Sequence, residues 1–375
     1  MSIIYYYIYI YLFLIFYFSL DEQKYNIIKY SIFPIIAITF FKMLRTGTFY
    51  YGKSIRYFFV FLAFPIYVFF SSIFNFHATF SLAFSVFSNI VVAYFMSLYI
   101  KSDKCVTKFL MPIYAACMIS VLNFFHQNAS LFWGGPIYGI NQDVNLNFRA
   151  QVYLFAFIVN FVLLLRAKKF KYLYFLSLLV IAISITITAS RQAFVVILLF
   201  IIAYGILKKG RDINLFKVSA FLILVVVLLY MLSLYVPNNP LVNKSVNTSE
   251  DDGRVILVQK ALELFQEKPI FGYGFGTFSY FSGTVYVYSH NMYTELLFGG
   301  GIVGFIFCLL PYVLLWRNII SKIYHKSMEQ SIAWPIFGAL LFASFVEGMF
   351  SMLYNSIFFY LIFFILYRYA DIERR

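Results

Sequence analysis

The run LFKVSAFLILVVVLLYMLSLYV at residues 215–236 carries one charge, Lys217, near its start. A hydrocarbon layer about 30 Å thick is crossed by a helix of about 20 predominantly apolar residues. A helix apolar on every side leaves no face for water, so this stretch reads as a transmembrane helix. Composition extends that reading to the whole chain. Of 375 residues, 63% are hydrophobic and 12% charged, and mean hydropathy is +0.84, whereas a soluble domain has about a quarter of its residues charged.

Working outward, eleven further stretches have the length and composition of spans. With residues 215–236 they centre on 3–20, 28–41, 55–74, 79–100, 106–125, 150–165, 172–189, 193–207, 292–316, 332–349 and 353–369. The expected fold is an all-α polytopic integral membrane protein of about 12 transmembrane helices. Met1 to Leu20 lacks a basic residue ahead of its apolar run and a small-residue cleavage site, so it is expected to be an uncleaved first span. Lys29 and Pro34 interrupt the second stretch.

The connecting charges test this count, because cytoplasmic loops carry the excess of Lys and Arg. With the N-terminus inside, 21 of the 29 Lys and Arg fall on the cytoplasmic side, with five acidic residues, while the outer side has eight basic against ten acidic. Both termini are therefore expected in the cytoplasm. The formal charge of +14 is mostly topology, so no nucleic-acid partner is needed to explain it. The 49 Phe and 33 Tyr fit lipid-facing and interfacial positions. Cys105, Cys117 and Cys308 lie in or beside apolar stretches and offer neither a disulfide framework nor a CxxC metal site.

Two outer connections are long. One runs over residues 126–149 and contains Trp133, the turn Gly134-Gly135-Pro136 and Asn141, Asn145 and Asn147. The other, residues 237–290, far exceeds ordinary loop length and reads as functional or as a small cap. The chain thus divides into nine spans (1–236), a large extracytoplasmic loop (237–290) and three spans (291–375). Inside the loop, Val255, Leu257, Val258, Ala261, Leu262, Leu264 and Phe265 recur at helical spacing, which predicts an amphipathic helix over residues 254–268, stopped by Pro269.

A charge on the outer side of a span needs a reason, since a charged group at membrane depth is costly. Arg191 sits in a tight turn, Ser190-Arg191-Gln192. Its planar, permanently charged fork suits a phosphate better than Lys does; the plainer reading is an interfacial arginine that snorkels. Arg254 opens the loop helix, where the dipole would favour an anion; the plainer reading is an ion pair with Asp251 or Asp252. Arg149, at the re-entry of the other long loop, reads as a helix-end anchor or a substrate contact. The run Pro269-Ile270-Phe271-Gly272-Tyr273-Gly274-Phe275-Gly276 lacks the soluble βαβ setting of a dinucleotide site; Gly272 and Gly274 instead permit close approach of backbone to a ligand or a neighbouring helix. His290-Asn291 stands at the entrance of a span with Glu295 about a turn away. One histidine without partners at ligand spacing does not hold a metal, and its use near neutral pH is as a general base. No cofactor is expected. His77, His126 and His325 read as solvated surface.

Together these residues resemble the O-antigen ligase and Wzy-type O-antigen polymerase superfamily. The likeness is carried by Ser190-Arg191 after a long apolar span, Gly253-Arg254 in the loop helix, the run from Pro269 to Gly274, and His290-Asn291 leading to Glu295 and to Gly299-Gly300-Gly301 and Gly304. It covers residues 190–304; upstream, only hydropathy and Asn145 to Arg149 are similar. Where the family often has Trp after the arginine of the loop helix, this chain has Val258 and its neighbours. The resemblance implies metal-independent, inverting transfer of glycan from undecaprenyl diphosphate at the outer face of the bacterial cytoplasmic membrane. Arg191 and Arg254 would hold the diphosphate and His290 would take the acceptor's proton. Glu295 would orient His290, while Arg149, Gly272, Gly274 and Asn291 would line the substrate path. Polymerisation of O-antigen or capsule repeat units is the leading reading, with ligation of finished glycan to a lipid or protein acceptor beside it. Companion proteins would be a flippase and a chain-length regulator. A transporter without catalysis is the contrasting class, but it would place paired charges at the midplane and repeat its halves. A cysteine placed near Ser249 is expected to be labelled by an impermeant thiol reagent from outside; labelling only after permeabilisation would reverse the side of the loop.

Overall fold

The computed structural model describes residues 3–18, 22–45, 53–75, 80–99, 103–127, 146–167, 169–188, 193, 196–197, 200–201, 249–286, 288–320, 360 and 364. Its elements are α1 (Ile3–Tyr17), α2 (Glu22–Ser31), α3 (Phe33–Arg45), α4 (Lys53–Phe74), α5 (Phe80–Ser97), α6 (Asp103–Gln127), α7 (Leu146–Arg166), α8 (Lys171–Ile187), α9 (Ser249–Glu267), α10 (Phe278–Ser282) and α11 (Met292–Ile320). No strand occurs among the described residues. Helices are what the composition demands, because in hydrocarbon each segment must satisfy its own backbone. Ile55–Phe74, Phe80–Ser97, Thr107–Gln127, Arg149–Arg166 and Met292–Pro311 are long and apolar enough to cross a membrane, and the chain is a multi-pass membrane protein.

These five correspond to the expected third, fourth, fifth, sixth and tenth spans. The first and seventh appear as the shorter α1 and α8. The second is divided: α2 ends at Ser31 and α3 begins at Phe33. Pro34 falls in the first turn of α3, where its missing N–H leaves no helix bond unmade. Of the eighth, Ala193, Val196, Ile197, Phe200 and Ile201 are helical and buried. The ninth and eleventh lie outside the described residues, as does the twelfth apart from Tyr360 and Phe364.

The helices pack as two units. In one, α1 lies on α6, and α6, α7 and α8 pack mutually. The continuous run from Ala150 to Asn160 of α7 is buried there. Asn160 offsets part of the cost of its burial by donating from Nδ2 to the Tyr174 carbonyl at 2.9 Å, since a buried polar group without a partner is costly.

The second unit holds α3, α4, α5, α9, α10 and α11. Here α4 packs on α5 and α11, and α9 packs on α11. The α9 contact is a stripe: Leu257, Ala261 and Leu264 join Tyr273, Phe278 and Phe298 in one buried cluster. Burying each leucine is worth about 1.5–3 kcal/mol relative to water. Val255, Ile256 and Leu262 remain exposed, so the buried face is narrower than the apolar periodicity predicts. The helix also starts earlier than expected, at Ser249. Arg254 consequently lies in the second turn, and the expectation that it sits at the positive helix end is corrected.

The deciding feature is a break in α11. Gly301 takes φ 59° and ψ −165°, a left-handed conformation tolerated chiefly by glycine. An unbroken helix would bond Ile302 N–H to Phe298 C=O and Val303 N–H to Gly299 C=O. Instead Ile302 and Val303 donate to the carbonyls of Pro269 and Ile270 at 2.8 and 3.2 Å, while the carbonyls of Phe298 and Gly299 accept from Tyr273 and Gly274 at 2.9 and 2.8 Å. Residues 269–274 thus exchange four hydrogen bonds with the opened helix and leave none of those groups unpaired. Gly272 and Gly274 also adopt left-handed φ values, 68° and 91°. A Cβ on Gly272 would lie 2.6 Å from the Phe298 carbonyl oxygen and from Gly301 N. Replacing Gly301 by alanine is expected to cost about 2–5 kcal/mol, combining left-handed strain with displacement of the Ile270 carbonyl. A melting temperature in detergent equal to that of the unmodified protein would show that the junction does not depend on this glycine.

Candidate functional site

His290 stands immediately before α11 and is itself held in the left-handed region, with φ 57°. Histidine is among the residues that visit this region more often than most, yet the conformation still costs energy and persists only where neighbours impose it. Both neighbours do so here. On one side, Ser289 is fully buried: its N–H donates to Glu295 Oε2 at 2.9 Å, and its Oγ bonds the Asn291 carbonyl at 3.1 Å and Thr294 Oγ1 at 2.9 Å. On the other, Asn291 caps α11, its Oδ1 accepting from the N–H groups of Tyr293 at 2.9 Å and Thr294 at 3.2 Å. An asparagine at this position satisfies helix donors that have no partner within the helix. Glu295 therefore fixes the histidine through the backbone of Ser289.

The imidazole is half-buried and in contact with two aromatic rings. Tyr286 lies 5.6 Å away, nearly perpendicular at 75°, and Tyr288 lies 4.6 Å away at 51°. Burial lowers the pKa of His290 below its ordinary 6.5, and the positive charge of Arg254 lowers it further. Both effects disfavour the imidazolium, so His290 is neutral at pH 7, as a proton acceptor must be.

Arg254 reaches this position through packing. It precedes Leu257 by one turn on the stripe that α9 buries against Phe298 of α11, and residues three and four apart share a helix face. The stripe aligns α9 along the first half of α11, and Arg254 extends it to the end where His290 stands. Two residues 36 positions apart thus come close enough for the charge of Arg254 to act on His290. Gly272 and Gly274 lie further along the same unit, at the junction with α11.

Tyr67, on α4, is a site residue that sequence reasoning did not find. Its hydroxyl is 2.6 Å from the Gly300 carbonyl and 2.9 Å from that of Phe271, so one phenol bridges both partners of the junction. Its ring fills the space beside Gly304, where a Cβ would come within 2.7 Å. Phe275 does the same beside Gly299 and Gly300, at 2.8 and 2.9 Å. These glycines let aromatic rings press against helix backbone. Only the cap was legible in advance: an asparagine directly before an apolar run is a helix-start signal. Ser289 and Tyr67 had none.

Arg149, in the α7 unit, has its guanidinium 4.9 Å over the Phe124 ring, a cation–π contact. Arg191 lies outside the described residues. His126 is exposed at the end of α6, as expected. No cluster of His, Cys, Asp and Glu with the makings of a metal site occurs among the described residues.

Residues 176–309 match the family model described as O-antigen ligase. The matched stretch contains Arg191, Arg254, Gly272, Gly274, His290, Asn291 and Glu295, and leaves Arg149 outside. The likeness to the O-antigen ligase and polymerase superfamily is thereby shown for that part of the chain, and the family implies a glycosyltransferase-like enzyme of glycan assembly. No curated protein matches the chain.

Removing the charge of Arg254 should raise the His290 pKa, because the imidazolium then forms without a neighbouring cation. In Arg254→Gln the imidazole resonances are expected to titrate at higher pH than in the unmodified protein when followed by NMR. An unchanged midpoint would mean that the two groups are not electrostatically coupled.

Proposed function

We propose that this protein, which carries an O-antigen ligase family domain, is a polysaccharide polymerase. It would join undecaprenyl-diphosphate-linked oligosaccharide repeat units into O antigen or capsule at the outer face of the cytoplasmic membrane. The observation that carries the reading is the pairing of a neutral, aromatic-flanked His290 with Arg254. In the reaction, the acceptor sugar hydroxyl attacks the anomeric carbon of the donor while His290 takes its proton. The bond from that carbon to the diphosphate breaks, and the electron pair leaves with the diphosphate. Attack opposite the leaving group inverts the anomeric centre.

Arg254 and Arg191 hold the leaving diphosphate, whose charge grows as the bond breaks, so their contribution is largest in the transition state. The start of α11, beside His290, adds the positive end of a helix dipole. Donor binding also tunes the base. A diphosphate beside Arg254 offsets the charge that disfavours protonation, so His290 binds a proton more readily once the donor is in place. Arg149, Gly272, Gly274, Asn291 and Glu295 support the substrate path, the last four through the junction and the cap. A flippase would deliver the donor and a chain-length regulator would set the product's size.

A second reading, ligation of finished glycan to another acceptor, is favoured by the description of the matched family and uses the same donor chemistry. The test is a gel of surface polysaccharide from strains carrying single substitutions. His290→Ala is expected to abolish the long-chain ladder while the protein still inserts, and Arg191→Lys to lose most of it, because Lys lacks the bidentate fork. A normal ladder in the histidine variant would remove the general-base role. Single repeat units on the surface of a knockout support polymerisation, whereas accumulation of long, unattached glycan supports ligation.

A further inference from the structure

We propose that Tyr286 is the stacking platform for the acceptor sugar, a carbohydrate-binding surface beside the base; the inference rests on the glycosyl-transfer reading of His290. The starting point is reach. A hydroxyl that gives its proton to an imidazole nitrogen lies about 2.6–3.2 Å from it, and the sugar ring bearing that hydroxyl is then centred about 6–7 Å from the imidazole centre. The Tyr286 ring, 5.6 Å from the imidazole centre, borders that position.

Orientation and exposure agree. The 75° angle between the rings means that the imidazole covers at most one face of Tyr286. Tyr286 is 50% exposed, and Val285 beside it 90%, so the surface next to the base is open and apolar. A pyranose presents a face of C–H groups with slight positive character, and an aromatic ring presents a negative π face. Stacking the two fixes the plane of the sugar while its hydroxyl rim stays free to reach His290. Tyr288 is closer to the imidazole, at 4.6 Å, and less exposed than Tyr286. Neutral aromatic area suits an uncharged acceptor, while Arg254 suits the charged donor, so the two substrates meet different chemistry at one histidine.

An interfacial anchor is the ordinary alternative for an exposed tyrosine in a membrane protein, and the two roles differ in what they need from the side chain. An anchor uses the hydroxyl at the water boundary; a platform uses the ring. The experiment is saturation-transfer NMR on the protein in nanodiscs, with the methyl glycosides of glucose, galactose and N-acetylglucosamine as probes. At least one probe is expected to receive saturation at its ring C–H protons, equally in the unmodified protein and in Tyr286→Phe. In Tyr286→Ala the effect should fall about 2- to 10-fold, the weight of one aromatic contact. An unchanged signal in Tyr286→Ala, loss in Tyr286→Phe, or no transfer from any of the three probes overturns the platform. Failure of the underlying reading looks different: His290→Ala would then keep its polysaccharide ladder, whatever the glycosides do.

Discussion

A helix can be interrupted inside a membrane only if every backbone group it releases is taken up by protein. That constraint governs the second unit of this chain. Gly301 opens α11 midway along the stretch Met292–Pro311, and residues 269–274 accept and donate at the opening. Much of the unit follows from this exchange. It fixes where the chain returns after α9, and so holds Tyr273 against Phe298 with their rings stacked 5.4 Å apart. Tyr273 in turn closes the end of α9, its hydroxyl bonding Glu267 and its ring lying 4.4 Å beneath Lys268. The first half of α11 thereby becomes a short, anchored helix with a capped start.

The sequence made the class of fold legible because the bilayer allows so few solutions. Apolar runs of span length located α4, α5, α6, α7 and α11, and the period of Leu257, Ala261 and Leu264 located α9. What it did not reveal depends on distance along the chain. Gly299, Gly300, Gly301 and Gly304 look alike in sequence, and only contact with residues 269–274 selects Gly301 for the break. Tyr67 completes the same junction from 233 residues before Gly300, and nothing local marks it among the chain's other tyrosines. The divided second helix has a similar origin. Pro34 signals an interruption, but the residue at which α2 gives way to α3 is set by their packing into different units.

For the site, residue types were readable and their assembly was not. A histidine before a span and an arginine in a loop helix are each unremarkable singly. They become a pair because a stripe of three small-to-medium apolar side chains seats α9 along α11. Glu295 shows the same limit: the resemblance implied that it orients His290, but the bond its carboxylate accepts from the Ser289 N–H depends on the turn and has no mark in the sequence. Left-handed geometry at His290 is the cost of this arrangement, and the buried hydrogen bonds of Ser289 and the cap of Asn291 sustain it.

In the proposed reaction the pairing of His290 with Arg254 resolves a conflict between two requirements. A base must be neutral when the acceptor arrives and must bind a proton while the bond to the leaving group breaks. A cation beside it serves the first and opposes the second. If the cation is also the leaving group's clamp, the opposition ends as the diphosphate arrives, because its negative charge then faces both groups. The ordering is built into the site: without donor, burial and then the charge of Arg254 favour the neutral His290; with donor, the base is strengthened where and when the acceptor's proton is released. Electrostatic preorganisation of this kind needs the two side chains to be fixed relative to each other. That places the chemical demand on the α9 stripe, the α11 cap and the junction at Gly301.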